Sequence, residues 1–341
     1  MSDIAEACGV SSMTVSLALR NNPKISAKTR LKVSQKAAEL GYSPDPMLSA
    51  LNHYRQNTQN KTVQATLAWI NPYHDPKRLR SMHEFDLYWQ GAAAAAKRMG
   101  FNLESFATTQ LSFARMNTIF KTRNIQGILL AALCRPQFSD TDADFAEMPW
   151  EEYAVVRFGR STAYPEAHYI TSAQTRNTIL AFEHIIEKGY QRIGFISDDS
   201  PTKTFCGGAA IAQLSLPEHQ RLPFLRLSLG EDSHPRKIRI KQWIQDQEPD
   251  AILTDNMQLP DYLKEMGIAV PRDIALATTS IHDTQINAGI NQNPEEIGRT
   301  AIRTLIALLN EQCLGIPTIR NEILIEGQWT DGSMLPDKCD R

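Results

Sequence analysis

The chain has 341 residues, of which 42% are hydrophobic and 22% charged, and its formal net charge is −2. This length predicts two or three structural units, and the ordinary composition excludes collagen-like, low-complexity and wholly disordered proteins. No apolar run approaches the roughly 18 residues of a membrane span and the N-terminus lacks a signal-peptide pattern, so we expect a cytoplasmic protein without a membrane partner. The five cysteines are scattered and no histidine lies nearby at metal-ligand spacing, so we expect reduced thiols and neither metal nor cofactor.

The positive charge is concentrated near the N-terminus. Residues 1–61 hold eight basic and four acidic side chains, a net charge of +4, whereas the other 280 residues hold 28 basic and 34 acidic side chains, a net charge of −6. A small basic segment on a large acidic body indicates a nucleic-acid partner for that segment.

The first forty residues show the pattern of three short helices. We predict helices at about 2–8, 12–20 and 26–40, each beginning near a serine that can cap it, with Gly9 ending the first. Two helices joined by a glycine-containing turn of about three or four residues make a helix-turn-helix, whose second helix enters the DNA major groove. A three-helix bundle that does not bind DNA would use the same apolar spacing, so this alternative stays open on the pattern alone.

Several short strings in this segment carry a family resemblance. They are Asp3-Ile4-Ala5, Gly9-Val10-Ser11, Thr14-Val15-Ser16, Leu19, Ile25-Ser26, Thr29-Arg30 and Leu40-Gly41-Tyr42 with Pro44. Together they resemble the DNA-binding domain of the lactose and galactose repressor (LacI/GalR) family. The resemblance implies an all-α helix-turn-helix DNA-binding domain at residues 1–44.

The resemblance also implies which side chains contact DNA. The implied base-reading residues are Ser12, Met13 and Leu17, the last of which stands where relatives often carry a polar or basic residue. For Met13 and Leu17 the alternative is packing in the core of the bundle. The implied contacts to the DNA backbone are Ser11, Thr14, Ser16 and Tyr42. We expect Arg20, which replaces the family's usual asparagine, to reach a phosphate as well.

Residues 45–61 form the predicted connection to the rest of the chain. Asp45 followed by Pro46 is typical of a helix start, so we predict a short helix there. The resemblance implies a hinge helix that becomes ordered on operator DNA and inserts Leu51 into the minor groove. An ordinary linker helix is the alternative.

From residue 62 to residue 341, short apolar strands alternate with helical stretches. Strands are predicted at about 66–70, 127–130, 153–156, 192–196, 251–253 and 274–277, and this alternation is typical of parallel sheets covered on both faces. The arrangement resembles the effector-binding and dimerisation core of the same family and the periplasmic sugar-binding proteins. It implies an α/β core of two doubly wound subdomains. We place the N-subdomain at about 62–161 and 290–323 and the C-subdomain at about 162–289 and 324–335, with crossings near 161–165, 284–290 and 324–327.

Ligands of such cores bind in the cleft at the carboxyl ends of the strands. The candidates by position are Asn71, Tyr73, His74, Arg157, Phe158, Ser197, Asp198 and Asn256. The charged residues that the family commonly uses to hold a sugar are missing, so the resemblance does not carry over a ligand. An ordinary loop role is an equal alternative for each candidate.

The sequence lacks the motifs of a nucleotide-binding or hydrolytic enzyme, so we expect no enzymatic activity. The function predicted is that of a sequence-specific transcriptional regulator, most simply a repressor. Its expected partners are a pseudo-palindromic operator bound by a homodimer and a small effector, such as a sugar, in the core cleft. The alternative is a solute-binding protein whose N-terminal bundle does not read DNA.

Overall fold

The computed structural model describes residues 2–19, 25–40, 65–133, 145–159, 164–198, 203–228 and 230–338. Three helices form an N-terminal bundle: α1 (Ser2–Cys8), α2 (Ser12–Leu19) and α3 (Ala27–Glu39). They pack through Ile4, Val15 and Val33, each at most 1% exposed. Gly9 ends α1 in the left-handed conformation, with φ of 65°, which a residue without a Cβ adopts without strain.

The larger part of the chain alternates strands and helices. In chain order these are β1 (Ala65–Asn71), α4 (Arg78–Ser81), α5 (His83–Arg98), β2 (Phe101–Ala107), α6 (Phe113–Arg123), β3 (Gly127–Leu130), β4 (Ala154–Phe158), β5 (His168–Ser172), α7 (Gln174–Glu187), β6 (Ile193–Asp198), α8 (Thr204–Leu214), β7 (Leu225–Leu227), α9 (Ser233–Gln247), β8 (Ala251–Thr254), α10 (Leu259–Glu265), β9 (Ala275–Thr278), β10 (Gly289–Asn291), α11 (Pro294–Glu311), β11 (Glu322–Ile325) and β12 (Gln328–Thr330).

These strands form two six-stranded sheets, each the centre of one lobe. The sheet of the first lobe has the order β11-β5-β4-β3-β1-β2, and every pairing in it is parallel. The sheet of the second lobe has the order β12-β10-β9-β8-β6-β7, and only β12 is antiparallel to its neighbour. The predicted class, a helical DNA-binding domain followed by a two-sheet α/β core, is confirmed.

Central strands are buried along their whole length, because helices cover both faces of each sheet. Every residue of β3, β4, β8 and β9 is buried. This explains why these strands are mostly apolar in the sequence, with Arg157 of β4 as the charged exception, and were predictable from it. Within the described ranges, no helix is both long and apolar enough to cross a membrane.

The first crossing between the lobes differs from the predicted one, whereas the second and third lie within about one residue of their predicted ranges. The first crossing follows Ser172 and not residues 161–165, because β5 pairs with β4 in the first sheet. The second follows Asn291, the end of β10, and the third lies between Ile325 and Gln328. The strand β5 was missed because its sequence, His-Tyr-Ile-Thr-Ser, mixes polar and apolar residues and is only partly buried.

Two glycines bring α5 and α11 into close contact in the first lobe. A Cβ on Gly91 of α5 would lie 2.0 Å from the Glu295 carbonyl oxygen, and one on Gly298 of α11 would lie 2.0 Å from the Tyr88 carbonyl oxygen. The two backbones approach so closely that no side chain fits between them. The position of α5 is therefore set by α11.

Candidate functional site

The turn between α1 and α2 is closed by hydroxyl groups. The Ser11 Oγ accepts a hydrogen bond of 3.1 Å from the Thr14 backbone N–H and lies 2.9 Å from the Thr14 Oγ1. Ser11 is thus the N-cap of α2, which satisfies one of the free N–H groups at the helix start. The same two residues were predicted to contact the DNA backbone, and both lie at the N-terminal end of the second helix.

The solvent-facing side of α2 is uncharged. Met13 is 74% exposed and Ser12 is also exposed, whereas Val15 and Ala18 are buried against the other helices. Leu17 lies one turn after Met13 and is partly exposed. The predicted base-reading residues therefore share the outward face. Of the other predicted DNA contacts, Arg20, Tyr42, Leu51 and the side chain of Ser16 lie outside the described residues.

Within the described part of the bundle, the basic side chains lie on α3. The Lys32 Nζ donates to the Cys8 carbonyl oxygen at 3.0 Å, so this lysine ties α3 to the end of α1. The Lys36 Nζ lies 2.7 Å from a Glu39 carboxylate oxygen, and the pKa of Lys36 is raised by this hydrogen bond. Lys28 is exposed. The bundle thus presents a neutral helix face together with separate surface cations.

A second site is a cavity of about 590 Å³ between the two lobes. Strand ends contribute Gly159, Thr171, Asp198, Asp255 and Thr278, all at or just after the carboxyl ends of strands. This is the edge at which open α/β sheets bind ligands. The remaining lining includes aromatic, hydroxyl, amide and carboxyl side chains, among them Phe85, Tyr88, Phe158, Tyr169, Gln174, Thr204, Phe205, Ser280, Gln292 and Glu322.

Two of the carboxylates are held by the second lobe. The Asp255 carboxylate accepts hydrogen bonds from the Ser197 Oγ at 2.8 Å and from the Asp198 backbone N–H at 2.9 Å. The Asp198 carboxylate accepts from the Asn256 Nδ2 at 2.9 Å, and the same oxygen lies 3.3 Å from Nη1 of the buried Arg236. These bonds orient both carboxylates before any ligand arrives.

Glu84, on the first lobe, has an unusual environment. One of its carboxylate oxygens accepts from the Ser280 Oγ at 2.9 Å and the other from the Tyr88 hydroxyl at 3.4 Å. Burial in the cleft raises the pKa of Glu84 to about 7, and the neighbouring Asp283 carboxylate adds to this effect. Near neutral pH this carboxyl group therefore exists in both charged and neutral forms.

The structure brings only two of the predicted effector residues to the cavity, Phe158 and Asp198. Asn71, Tyr73 and His74 do not line the cavity. The Asn71 side chain stabilises its own loop, because it accepts from the Tyr73 N–H at 3.1 Å and donates to the Pro76 carbonyl at 2.9 Å. Tyr73 is fully buried in the core of the first lobe, and His74 is exposed away from the cavity lining.

Arg157, Ser197 and Asn256 were also predicted as ligand contacts and do not line the cavity. The Arg157 guanidinium donates to the carbonyls of Gly159 and Pro165 at 3.1 and 2.7 Å and so holds the loop after β4. Ser197 and Asn256 position the two carboxylates described above. Asp255 was missed although it lies two residues after a predicted strand, and nothing in the sequence marks Glu84, the second residue of α5.

Comparisons with known proteins agree with this geometry. A family model described as "Bacterial regulatory proteins, lacI family" matches residues 1–45, and one described as "Periplasmic binding protein-like domain" matches residues 182–328. The HTH-type transcriptional repressor MelR of Bacillus subtilis (strain 168) is 24% identical over 335 residues, which cover 92% of each chain. The HTH-type transcriptional regulator MalR of Streptococcus pneumoniae serotype 4 is 23% identical over 320 residues, which cover 91% of this chain and 92% of that protein.

Solved structures share the fold. The transcriptional regulator CelR–cellobiose complex superposes with a TM-score of 0.54 at 20% identity and covers 97% of this chain and 98% of that one. The lac repressor dimer bound to operator and the anti-inducer ONPF gives 0.51 at 17% identity and covers 98% of each chain. The capped helix-turn-helix, the two-lobed core and these matches show a lacI-type DNA-binding region followed by a periplasmic-binding-protein-like core, the arrangement of a DNA-binding transcriptional regulator.

Proposed function

We propose that the protein is a repressor that binds a pseudo-palindromic operator as a homodimer and whose operator affinity is changed by a small effector in the interlobe cavity. It acts by binding, without turnover of substrate. The observation that carries this proposal is the presence, in one chain, of an exposed recognition helix and an interlobe cavity of about 590 Å³ with aromatic and polar lining. Residues 1–44 would bind DNA, 45–61 would connect, and 62–341 would bind effector and dimerise.

In the proposed complex, α2 lies in the major groove. Ser12, Met13 and Leu17 read bases, which fits their outward position on α2. Ser11, Thr14, Ser16, Arg20 and Tyr42 contact the DNA backbone, and Leu51 enters the minor groove. A homodimer is needed because one such helix reads too few base pairs for a specific site.

The proposed effector is a sugar or a related polar metabolite. Aromatic rings at Phe158, Tyr169 and Phe205 line the cavity, where a sugar ring can pack against them, and the carboxylates of Asp198 and Asp255 can accept hydrogen bonds from its hydroxyl groups. CelR, which shares the fold, was solved with cellobiose. An effector shifts operator affinity only as far as it binds one arrangement of the two lobes better than the other.

The first experiment tests DNA binding. Full-length protein selects sites from a randomised duplex pool, and the enriched duplex is titrated by fluorescence anisotropy against a scrambled duplex of the same composition. We expect a two-fold symmetric site bound at least about 10³-fold more tightly than the scrambled control. Without an enriched site, the alternative function, a solute-binding protein with a non-reading bundle, would replace the proposal.

The second experiment tests the effector. A panel of mono- and disaccharides that includes cellobiose is titrated calorimetrically into the wild type and an Asp255→Asn variant, with Asp75→Asn as the matched control because Asp75 lies outside the cavity. We expect one sugar to bind the wild type and the control but to bind Asp255→Asn at least about tenfold more weakly. Equal binding to all three proteins would remove the cavity as the effector site.

A further inference from the structure

The helix α5 begins without a cap of its own. Its N-cap position is Met82, which has no side-chain acceptor, and the preceding Ser81 hydroxyl donates to the Arg78 carbonyl instead. The first N–H groups of a helix have no partner within the helix and need an acceptor from elsewhere. The start of α5 is therefore a place where an acceptor from another part of the chain stabilises the helix.

The second lobe supplies that acceptor. One carboxylate oxygen of Asp283 accepts from the His83 backbone N–H at 2.7 Å, and the other accepts from the Glu84 backbone N–H at 3.0 Å. Asp283 lies 200 residues further along the chain, in the loop between β9 and β10. A carboxylate at a helix N-terminus is also favoured by the helix dipole.

Two further contacts join the same elements. The Ser280 Oγ donates to the Glu84 carboxylate at 2.9 Å, and the rings of His83 and His282 meet edge to face with centroids 5.3 Å apart. Glu84, Ser280, His282 and Asp283 all line the cavity. One short loop of the second lobe is thus bonded to one helix start of the first lobe at the cavity wall.

We propose that Ser280 and Asp283 form a latch that holds the two lobes closed over the cavity by capping α5 across the cleft. Because α5 is packed against α11 through Gly91 and Gly298, the helix cannot follow the second lobe when that lobe moves away. Separation of the lobes must therefore break the two Asp283 bonds and the Ser280 bond together. The latch sets the fraction of molecules whose two lobes are closed before an effector binds.

The test compares Asp283→Ala with the wild type in the full-length protein without ligand. We expect hydrogen exchange to become about fivefold faster in residues 83–88, the change that loss of a helix cap gives. We also expect faster exchange in the cavity-lining segments 171–175 and 204–208 and a larger radius of gyration by small-angle X-ray scattering. These last two changes report separation of the lobes and would not follow from loss of a local cap.

The matched control is Asp86→Ala. Asp86 is also an acidic residue in the first turn of α5, but its carboxylate bonds Arg80 and Gln90 within its own lobe. The control should leave exchange in 171–175 and 204–208 and the radius of gyration unchanged. The latch is refuted if Asp283→Ala matches the control in both measurements, or if Asp283→Ala changes exchange in residues 83–88 alone.

A second variant keeps the latch testable if Asp283→Ala does not fold. Ser280→Ala removes one bond of the latch and keeps Asp283, so we expect the same changes at smaller amplitude; no change in exchange at 204–208 would count against the latch.

The effect of the latch on transcription rests on the proposed function, and we expect Asp283→Ala to change the affinity for the selected operator at least about threefold. Failure to bind any operator would refute the proposed function but not the latch, which the exchange and scattering data test without DNA. Lobe separation without any change in operator affinity would refute the link between the latch and DNA binding.

Discussion

Met13 combines large exposure with an apolar side chain at the start of the recognition helix. An exposed fraction of 74% is high for methionine. Val15 and Ala18 of the same helix are already buried in the core, so the core does not account for Met13. The only apolar group that a base presents in the major groove is the thymine methyl. We therefore expect Met13 to read thymine.

This expectation can be tested by changing the thymine in the DNA and Met13 in the protein, separately and together. Replacing one thymine by deoxyuridine in each half-site removes one methyl group per half-site, and at the right position we expect about a tenfold loss of affinity for the wild-type dimer. Met13→Ala should bind both duplexes equally. Leu31→Ala is the control, because Leu31 is also 62% exposed but lies on α3. Met13 is not the thymine reader if Met13→Ala keeps the full sensitivity to deoxyuridine.

Glu84 gives a prediction for pH. Its pKa in the folded protein is about 7, above the ordinary value of 4.5, because burial disfavours the charged form. Between these two values the folded state holds a proton that the unfolded state has lost, so this residue makes the protein less stable as pH rises from about 4.5 to about 7. Tyr88, Asp283, His83 and His282 are the titratable groups that surround it.

The variant Glu84→Gln mimics the neutral form and keeps an acceptor for Ser280. We expect its thermal midpoint, relative to the wild type, to increase from pH 5 to pH 8. The measurement is thermal unfolding of both proteins at four pH values. A midpoint difference that stays constant with pH would contradict the raised pKa of Glu84.

At the scale of elements, α5 and α11 cross more closely than any other pair of helices at which a glycine lies in the contact. A Cβ on Gly298 would overlap the Tyr88 carbonyl oxygen, which belongs to backbone and cannot rotate away. Gly298→Ala should therefore destabilise the first lobe by about 3 kcal/mol, as overpacking does. The control, Gly207→Ala in α8, has nothing within 4 Å of the new Cβ and should stabilise its helix by about 0.5–1 kcal/mol. Urea unfolding of both variants distinguishes these outcomes, and equal midpoints would contradict the tight crossing.

Elements also differ in how well the sequence predicts them. The strands β3, β8 and β9 are continuous apolar runs, because helices cover both of their faces, and the sequence shows them directly. The edge strand β11 alternates exposed and partly buried residues, and β10 has only three residues, so neither is distinctive in sequence. The displacement of the first crossing from its predicted position comes from β5, which stays in the first sheet.

At the scale of the whole molecule, the DNA-binding segment and the effector-binding core carry opposite net charges. The N-terminal 61 residues carry +4 and the rest carries −6, so attraction to DNA resides in the small basic segment. If each DNA-binding domain of the dimer neutralises three phosphates, raising salt from 50 to 200 mM should weaken operator binding by about 10³-fold. Anisotropy titrations at four salt concentrations measure this slope. A flat dependence would mean that the basic segment does not contact phosphates.

The sequence by itself determined the DNA-binding domain and the α/β core, because capping residues, helical periodicity and apolar strands are local patterns. It also determined which face of α2 is free, since Val15 and Ala18 recur at helical spacing. Only the tertiary structure decided which residues line the cavity. Asp283 caps α5 across 200 residues, and Asn71 and Tyr73 turn into their own lobe, because these contacts depend on how two separately wound sheets come together.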